Sequence, residues 1–580
     1  MPLFTDSLRA THLGAHQAAM GLSFMLLWSQ REASELEGLP TFADASAEFL
    51  ANSFTRVSRR VAPSEADTLE ETFSRIDPRE LDPLRRDMLR ALNEGLSAED
   101  IAEDIFATCL PHTWLAHESC DVLIAALAPR RTSQIVCAYS MAARPAWNLS
   151  RDHQVHLEVE EQGLGAIIAM LASATRRSLV VRTSSLDAVS RDGVFRLYDL
   201  ALILPPLGRR LKSGLLAKDV PGLRADDDIG SEALGALLGA QIGRQRSIVV
   251  VAKGFLFRTS SRDAAIKQEL VQSLGLRAVI SLPRGTMAST AVAFSALVFS
   301  PNGQDNKAGK HIRFIDASNP ATLKSAEIPT LLDSKVKHPL STDATPAQLS
   351  DAGFNLSVDR YVLSAETRDS RNLIGQHYTL TLSDLAEIRK PQALPRDDRQ
   401  HAHIEIREAL LADIDGGRLQ MPRKRSQLPR SASTKIENAV LKQNDILLSI
   451  KGTIGKTALV TDEVIADSEP ALVVAGQSFV ILRLRKGSAI TDARVLTTYL
   501  RTPTAQALLG SMAGGTTIPN VIMGDLKALP VPIPSVETQR ELLAKFDERD
   551  HLLHDADQLI SKSQAVEQSM FDLILAGEDQ

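Results

Sequence analysis

The first hundred or so residues carry apolar side chains at helical spacing. Two such runs are Ala45, Phe49, Leu50 and Phe54, and Leu84, Met88, Leu89 and Leu92. A spacing of three or four residues places these side chains on one face of a helix. The mostly apolar stretch Ala18–Trp28 predicts a buried helix, and Ser97 with Asp100 three residues later is typical of a helix start. We therefore predict a helical domain over residues 1–109.

From about residue 117 the pattern changes to short apolar runs that alternate with helical segments. The runs predict strands over 134–138, 156–159, 178–182, 198–204, 247–252, 278–282 and 293–299, and helices over 118–127, 164–172, 231–242 and 264–274. Continuous apolar strands separated by helices are typical of a parallel sheet that is covered on both faces. We therefore predict an α/β, doubly wound, Rossmann-like domain over residues 110–362, with ligands outside the carboxyl ends of its strands.

A third pattern begins after Tyr361. Residues 376–530 carry short β-type runs and scattered glycines, which predicts a smaller α/β domain over 363–535. Residues 536–580 then form a long amphipathic helix of coiled-coil type. Its apolar stripe consists of Leu542, Phe546, Leu553, Ala556, Leu559, Ile560, Val566, Met570 and Leu573.

Composition narrows the class of protein. A chain of 580 residues with 44% hydrophobic and 23% charged residues is a multi-domain globular protein. No apolar run approaches the roughly 18 residues that a membrane helix needs. Cys109, Cys120 and Cys137 include no CxxC pair, so we expect neither a disulfide framework nor a cysteine zinc site, and we expect a reducing cytoplasm. The net charge of -6 requires any nucleic-acid binding to come from local basic patches.

Five segments of the α/β region occur in the order of a known family. They are Tyr198–Gly208, similar to "fDlilaNPPFg"; Ser247–Phe257, similar to "avVlPngfLf"; Arg277–Gly285, similar to "vaVIsLPkg"; Phe314–Ser318, similar to "lFIDaS"; and Gly353–Tyr361, similar to "gynLspsrYl". Residues 110–362 thus resemble the adenine-specific DNA methylase domain of type I restriction-modification systems. The resemblance implies a methyltransferase fold and S-adenosylmethionine as methyl donor.

The two motifs that carry the family's chemistry are altered. Where the family has the glycine-rich turn "DPaCGSG" for the methyl donor, this chain has Cys137, Ala138, Tyr139, Ser140, Met141, Ala142 and Ala143. Where the family has NPPF, it has Leu204, Pro205, Pro206 and Leu207. Leucine neither accepts a hydrogen bond from the target amino group nor stacks on a flipped base. Loss of one such polar group typically costs about 10²–10³ in rate.

One acidic position of the family is retained. Glu158 or Glu160 follows the second strand and could meet a ribose hydroxyl, although a solvated loop carboxylate is an equal interpretation. The family's next acidic position falls near Ser184, which cannot replace it. We therefore predict a pseudoenzyme that needs no cofactor. The alternative is an active S-adenosylmethionine-dependent adenine methyltransferase with divergent motifs, which the retained Pro205 and Pro206 support.

Residues 376–535 resemble one target-recognition domain of a type I specificity subunit. The matching segments are Leu382–Ile388, Leu441–Ser449, Lys451–Lys456, Gly514–Ile518 and Leu529–Ser535, followed by Glu537–Gln539 at the start of the long helix. The resemblance implies double-stranded DNA as a partner. Gly455, Lys456 and Thr457 imitate part of a phosphate-binding P-loop, but Ile450 stands where that motif requires glycine.

A basic run inside this segment is the candidate DNA contact. Its cations are Arg418, Arg423, Lys424, Arg425, Arg430 and Lys435, with no acidic residue among them. We interpret it as a loop that neutralises phosphates and places an arginine at a base edge, in preference to a merely solvated charge run. Lys451, Thr453 and Lys456 are secondary candidates for backbone contacts.

The single recognition domain and single helix limit the assemblies that fit. In specificity subunits two such helices pack together and space two recognition domains. We therefore expect a homodimer or a partner subunit, unless the helix folds back on the methylase-like domain. The leading hypothesis is a DNA-recognition protein of a bacterial restriction-modification-like or anti-phage system, with a separate effector nuclease or helicase. A weaker one is a structural partner of an intact methylase.

Overall fold

The computed structural model describes residues 3–183, 198–300, 311–395, 403–514 and 519–576, other than positions 75, 114, 259, 288, 289, 291 and 334. The chain divides into two compact units, Met1–Val362 and Leu363–Gln580. The domain boundaries predicted at 109, 362 and 535 stay predictions.

The first unit begins with helices. They are α1 Thr5–Ala10, α2 Ala15–Ser29, α3 Ala47–Val61, α4 Ala66–Phe73, α5 Asp82–Asn93 and α6 Ala98–Cys109. Every residue from Ala18 to Trp28 is buried, which confirms the predicted buried helix. Ser97 caps α6 by accepting from the Asp100 N–H at 3.1 Å, while the Asp100 carboxylate accepts from the Ser97 N–H at 3.3 Å.

The α/β part of this unit contains one large sheet. Its strands are β1 Ile135–Ala138, β2 Val155–Val159, β3 Leu179–Thr183, β4 Tyr198–Ile203, β7 Gly243–Ala252, β8 Leu276–Ser281, β9 Phe294–Phe299, β10 Ile312–Asp316 and β11 Ser341–Ala344. Two further strands, β5 Arg210–Lys212 and β6 Asp228–Gly230, pair with each other outside this sheet. The order across the sheet is β11-β10-β8-β9-β7-β4-β1-β2-β3. This order confirms the predicted α/β fold class.

The sheet is mostly parallel, as predicted, but two of its strands run in the opposite direction. The strand β9 runs antiparallel to both of its neighbours, β7 and β8, and the edge strand β11 runs antiparallel to β10. All six residues of β9 are buried. A short strand that is buried on both faces needs apolar residues at every position, whether it runs parallel or antiparallel to its neighbours. Its hydrophobicity therefore does not indicate the direction of the strand.

Helices cover both faces of the large sheet. They are α7 His117–Leu127, α8 Ala143–Leu149, α9 Gln162–Ala174, α10 Ser231–Ile242, α11 Lys253–Phe257, α12 Ser261–Gln272, α13 Ile328–Leu331, α14 Pro346–Asp351 and α15 Val358–Tyr361. One core joins the N-terminal helices to α9, and a second core lies under α10 and α12. A Cβ on Gly163 would stand 2.5 Å from His16 Nε2, so glycine allows α2 to pack against α9.

The second unit contains two principal sheets. A six-stranded sheet has the order β13-β21-β18-β19-β16-β15, and a three-stranded sheet has the order β17-β14-β20. Their strands are β13 Ala386–Arg389, β14 His403–Ala409, β15 Ile414–Asp415, β16 Arg418–Leu419, β17 Lys424–Pro429, β18 Ile446–Ser449, β19 Thr457–Leu459, β20 Leu472–Ala475 and β21 Phe479–Leu484. Two short pairs complete the strands: β12 Thr379–Thr381 with β24 Pro530–Pro532, and β22 Ala513–Gly514 with β23 Asn520–Val521.

Helices of the second unit pack beside these sheets. They are α16 Ala365–Gly375, α17 Leu382–Leu385, α18 Ser433–Glu437, α19 Asp462–Ala466, α20 Ala493–Arg501, α21 Pro503–Ser511, α22 Met523–Lys527 and α23 Val536–Ala576. The buried Gln539 fixes the start of α23: its Oε1 accepts from the Thr491 N–H at 3.1 Å and its Nε2 donates to the Ala489 carbonyl at 2.9 Å. The predicted long helix is therefore confirmed.

Candidate cofactor turn and nucleic-acid interface

The turn after β1 contains a residue other than glycine with a positive φ. Tyr139 has a φ of 74°, a conformation that costs a side-chain-bearing residue free energy. Its N–H donates to the Glu158 carbonyl at 2.8 Å, and its side chain is buried in the core under α10. Burial also raises the pKa of the Cys137 thiol at the end of β1. The turn thus presents packed side chains where a glycine turn leaves room for a ligand.

Glu160 lies just beyond β2, at the neighbouring strand end. Its Oε2 accepts from the Ser140 hydroxyl at 3.5 Å, and its Oε1 is 3.8 Å from Arg209 Nη1. Ser140 belongs to the turn after β1, and Arg209 follows the loop after β4. The carboxylate therefore interacts with residues of this chain on both sides of the strand end.

The loop after β4 is packed into the protein. Leu204 is completely buried, and its N–H donates to the Ala138 carbonyl at 3.1 Å. The Ser231 hydroxyl donates to the Pro206 carbonyl, and a Cβ on Gly235 would stand 2.8 Å from Pro205. Leu207 is only partly buried. The side chain of neither leucine can donate or accept a hydrogen bond, and Leu204 belongs to the core.

The basic run of the second unit is not a loop, which corrects the prediction. Arg418 lies in β16, residues 424–429 form β17, and Lys435 lies in α18. The antiparallel pairing of β14 and β17 places Arg407 directly opposite Arg425. Like charges in this position repel each other. Arg407 is half-buried and donates to the Pro422 carbonyl at 3.2 Å, so Arg425 is the exposed member of the pair. The prediction missed Arg407, because only the strand register reveals it.

The cations of this run differ in their partners. Arg423, Arg425, Arg430 and Lys435 are exposed and have no ion-pair partner among the residues that the structure describes. Lys424 is paired with Glu408. Arg418 Nη2 lies 2.6 Å from Asp550 Oδ1 on α23. The side chains that remain available to an external anion therefore lie between Arg423 and Lys435, in β17 and on either side of it.

The glycine-containing segment 451–456 is closed by internal hydrogen bonds. The Lys456 ammonium donates to the Leu411 carbonyl at 2.7 Å, and Gln506 Nε2 donates to the Gly455 carbonyl at 2.9 Å. Lys451 and Thr453 are exposed. Since Lys456 points to a carbonyl of its own domain, this segment has no P-loop arrangement. Within the matched pattern Gly514–Ile518, residues 515–518 lie outside the described residues, as does Ser184.

Neither a membrane-spanning helix nor a metal-binding cluster occurs in the described part of the chain. No helix in it is both long and apolar enough to cross a membrane. Nor does it contain three or more histidine, cysteine or acidic side chains grouped so that they could hold a metal ion.

Two segments of the chain, one mostly in the first unit and one in the second, match models of known families. Residues 240–370 match the model of the N-6 DNA Methylase family, and residues 378–560 match that of the Type I restriction modification DNA specificity domain. The chain therefore joins segments of these two families and is a DNA-recognition protein related to restriction-modification enzymes. The methylase match begins after both the turn at 137–143 and the loop at 204–207.

Solved structures with a similar chain path share little sequence. A methyltransferase subunit of a type I restriction-modification system from Streptococcus thermophilus is 16% identical; the match covers 55% of this chain and 77% of that one, with a TM-score of 0.45. The type IIG restriction endonuclease BpuSI is 12% identical, with 92% and 72% covered and a TM-score of 0.48. No curated protein sequence matches this chain.

Proposed function

We propose that this protein binds double-stranded DNA through its specificity domain and does not methylate it. The observation that carries the proposal is the set of exposed, unpaired cations at Arg423 and Arg425, beside Arg407, within the segment that matches a specificity domain. Guanidinium groups neutralise phosphates and form paired hydrogen bonds to guanine. The protein would act in a restriction-modification-like or anti-phage system, and a separate nuclease or helicase would supply the effector chemistry.

The residues at the strand ends do not fit a bound methyl donor. Met141 and Ala143 stand where the family's turn has glycine, Tyr139 is buried in the same turn, and Glu160 already contacts Ser140 and Arg209. Leu204 is buried and offers no acceptor for an adenine amino group. These features support a scaffold role for the methylase-like fold. The retained Pro205 and Pro206 are the support for the alternative, an active methyltransferase.

A titration separates the two functions. We expect isothermal titration with S-adenosylmethionine to give no binding heat, and a labelled-methyl assay on mixed-sequence duplex to stay at background, because side chains replace both glycines of the turn. The same preparation should bind a labelled mixed-sequence duplex in a fluorescence anisotropy assay. An active adenine methyltransferase serves as the positive control. Micromolar binding of the donor would overturn the scaffold role, and absence of duplex binding would overturn the recognition role.

We further propose that α23 pairs with a like helix, either from a second copy of this chain or from a partner subunit. Leu559, Ile560, Val566 and Met570 are each more than half exposed, and they lie at helical spacing along one stripe. An exposed apolar stripe of this kind is typical of an interaction surface.

Light scattering tests the homodimer. We expect the wild-type chain to have the mass of a dimer, and Leu559→Asp with Met570→Asp to have the mass of a monomer, because charged side chains cannot be buried without partners. Ser561→Asp adds a charge to the same helix outside the stripe and should leave the mass unchanged. A monomeric wild type would exclude self-pairing and leave the partner subunit.

A further inference from the structure

A charged cleft in the second unit lies apart from the exposed cations of β17. The cavity has a volume of about 370 Å³ and lies between β16 and β19, α20 and α23. Its ionisable lining residues are four arginines and three aspartates: Arg418, Arg494, Arg501, Arg549, Asp462, Asp492 and Asp550. The arginines outnumber the aspartates of the lining by one, and Asp547, which contacts Arg494 from outside the lining, balances that excess.

Three of the four arginines are held by carboxylates. Arg494 lies 2.9 Å from Asp492 and 2.7 Å from Asp547, and these two groups raise the pKa of Arg494. Asp550 is shared by Arg418 at 2.6 Å and Arg549 at 3.0 Å. One carboxylate thus neutralises only part of the charge of the two guanidinium groups that it contacts.

The fourth arginine is free. Arg501 is exposed at the end of α20 and has no ion-pair or hydrogen-bond partner among the described residues. Its guanidinium lies directly over Gly417, where a Cβ would collide with it. Gly417 has a φ of +87°, so glycine is favoured at this position both by the backbone and by the close approach of Arg501. The local fold therefore holds an unpaired cation at the wall of the cleft.

The cleft also carries uncommitted neutral donors. The side chains of Gln443, Asn444 and Thr461 line it and make no hydrogen bond to another described residue. Thr461 stands at the N-cap of α19, yet its hydroxyl makes no capping bond. Guanidinium, amide and hydroxyl groups are the side-chain donors that proteins direct at phosphate oxygens. Free donors and an unpaired cation in one cavity are the chemistry of a phosphate site.

We propose that this cleft binds a phosphate group, with Arg501 as its free cation and Asp550 as an internal competitor for Arg418 and Arg549. The phosphate could belong to a DNA backbone or to a small phosphate compound. In the first case the inference deepens the proposed function and rests on it. In the second case it stands independently.

Two opposite substitutions test the cleft. Arg501→Gln should weaken binding of a labelled mixed-sequence 30-bp duplex by roughly tenfold at 0.1 M salt, because one phosphate contact contributes about 0.9 to the slope of log affinity against log salt. Asp550→Asn should instead tighten binding, since it releases Arg418 and Arg549 from their carboxylate. A merely structural role of Asp550 would not produce tighter binding. Isothermal titration with pyrophosphate is run on the same variants.

The two binding assays distinguish the source of the phosphate. Changes in duplex affinity identify a DNA phosphate, and changes confined to pyrophosphate identify a small phosphate compound. Arg540→Gln removes an exposed arginine from α23 outside the cleft and is the matched control. Unchanged binding of both probes in both variants would overturn the inference. A wild type that binds pyrophosphate but no duplex would contradict the proposed function and leave the cleft intact.

Discussion

Replacing Arg423 and Arg425 together by glutamate is expected to weaken duplex binding by roughly 100-fold at 0.1 M salt. Each lost phosphate contact removes about 0.9 from the slope of log affinity against log salt, so two contacts account for about 60-fold, and the introduced carboxylates add repulsion. The slope itself should fall by about 2. Both side chains are exposed, so the substitutions should leave the fold intact. Anisotropy titrations between 0.05 and 0.3 M salt measure both quantities.

The matched control is Arg540→Glu with Lys545→Glu. It makes the same change in net charge at two exposed positions of α23, away from β17. If binding depends on the local basic face, the control should change the affinity much less than the double variant of β17. Equal losses in the two variants would show that only the net charge matters. An unchanged salt slope in the β17 variant would remove Arg423 and Arg425 from the interface.

The elements with the strongest hydrophobic pattern could be predicted from the sequence. The helix predicted at 231–242 has those bounds in the structure, because its apolar residues are buried around almost the whole helix. The direction of β9 could not be predicted, since six buried residues carry no sign of it. Direction depends on how the chain between β8 and β9 returns, which hydrophobicity does not encode.

The residue types of the candidate site could be predicted from the sequence, but the contacts between those residues could not. The altered turn and the Leu204–Leu207 loop are visible as residue types alone. The sequence does not reveal that Arg418 contacts Asp550, 132 positions further along the chain, or that Arg407 faces Arg425. Such contacts depend on strand register and on where α23 packs. The sequence therefore identifies the basic run, and the structure adds that Arg418 and Lys424 are paired with carboxylates of this chain.

Asp445→Ala is expected to destabilise the second unit by about 3–5 kcal/mol, the typical cost of removing one partner of a buried ion pair. Asp445 is completely buried at the start of β18. Its two carboxylate oxygens accept from Arg483 Nε and Nη2, each at 2.7 Å, and Oδ2 also accepts from the Lys442 N–H at 2.8 Å. Removal of the carboxylate leaves a largely buried guanidinium and a backbone N–H without their acceptor. Urea unfolding, followed on the transition of this unit, measures the loss.

An exposed pair in the same sheet provides the comparison. Glu387 and Arg389 also form a short contact, 2.8 Å from Oε1 to Nε, but their side chains are 48% and 34% exposed. Water and salt screen such a pair, so Glu387→Ala should cost less than about 1 kcal/mol. Asp445→Leu combined with Arg483→Met should recover part of the loss, because it removes the unpaired charge. Equal destabilisation by Asp445→Ala and Glu387→Ala would mean that water solvates Arg483. In that case the ion pair between Asp445 and Arg483 would not hold β18 against β21.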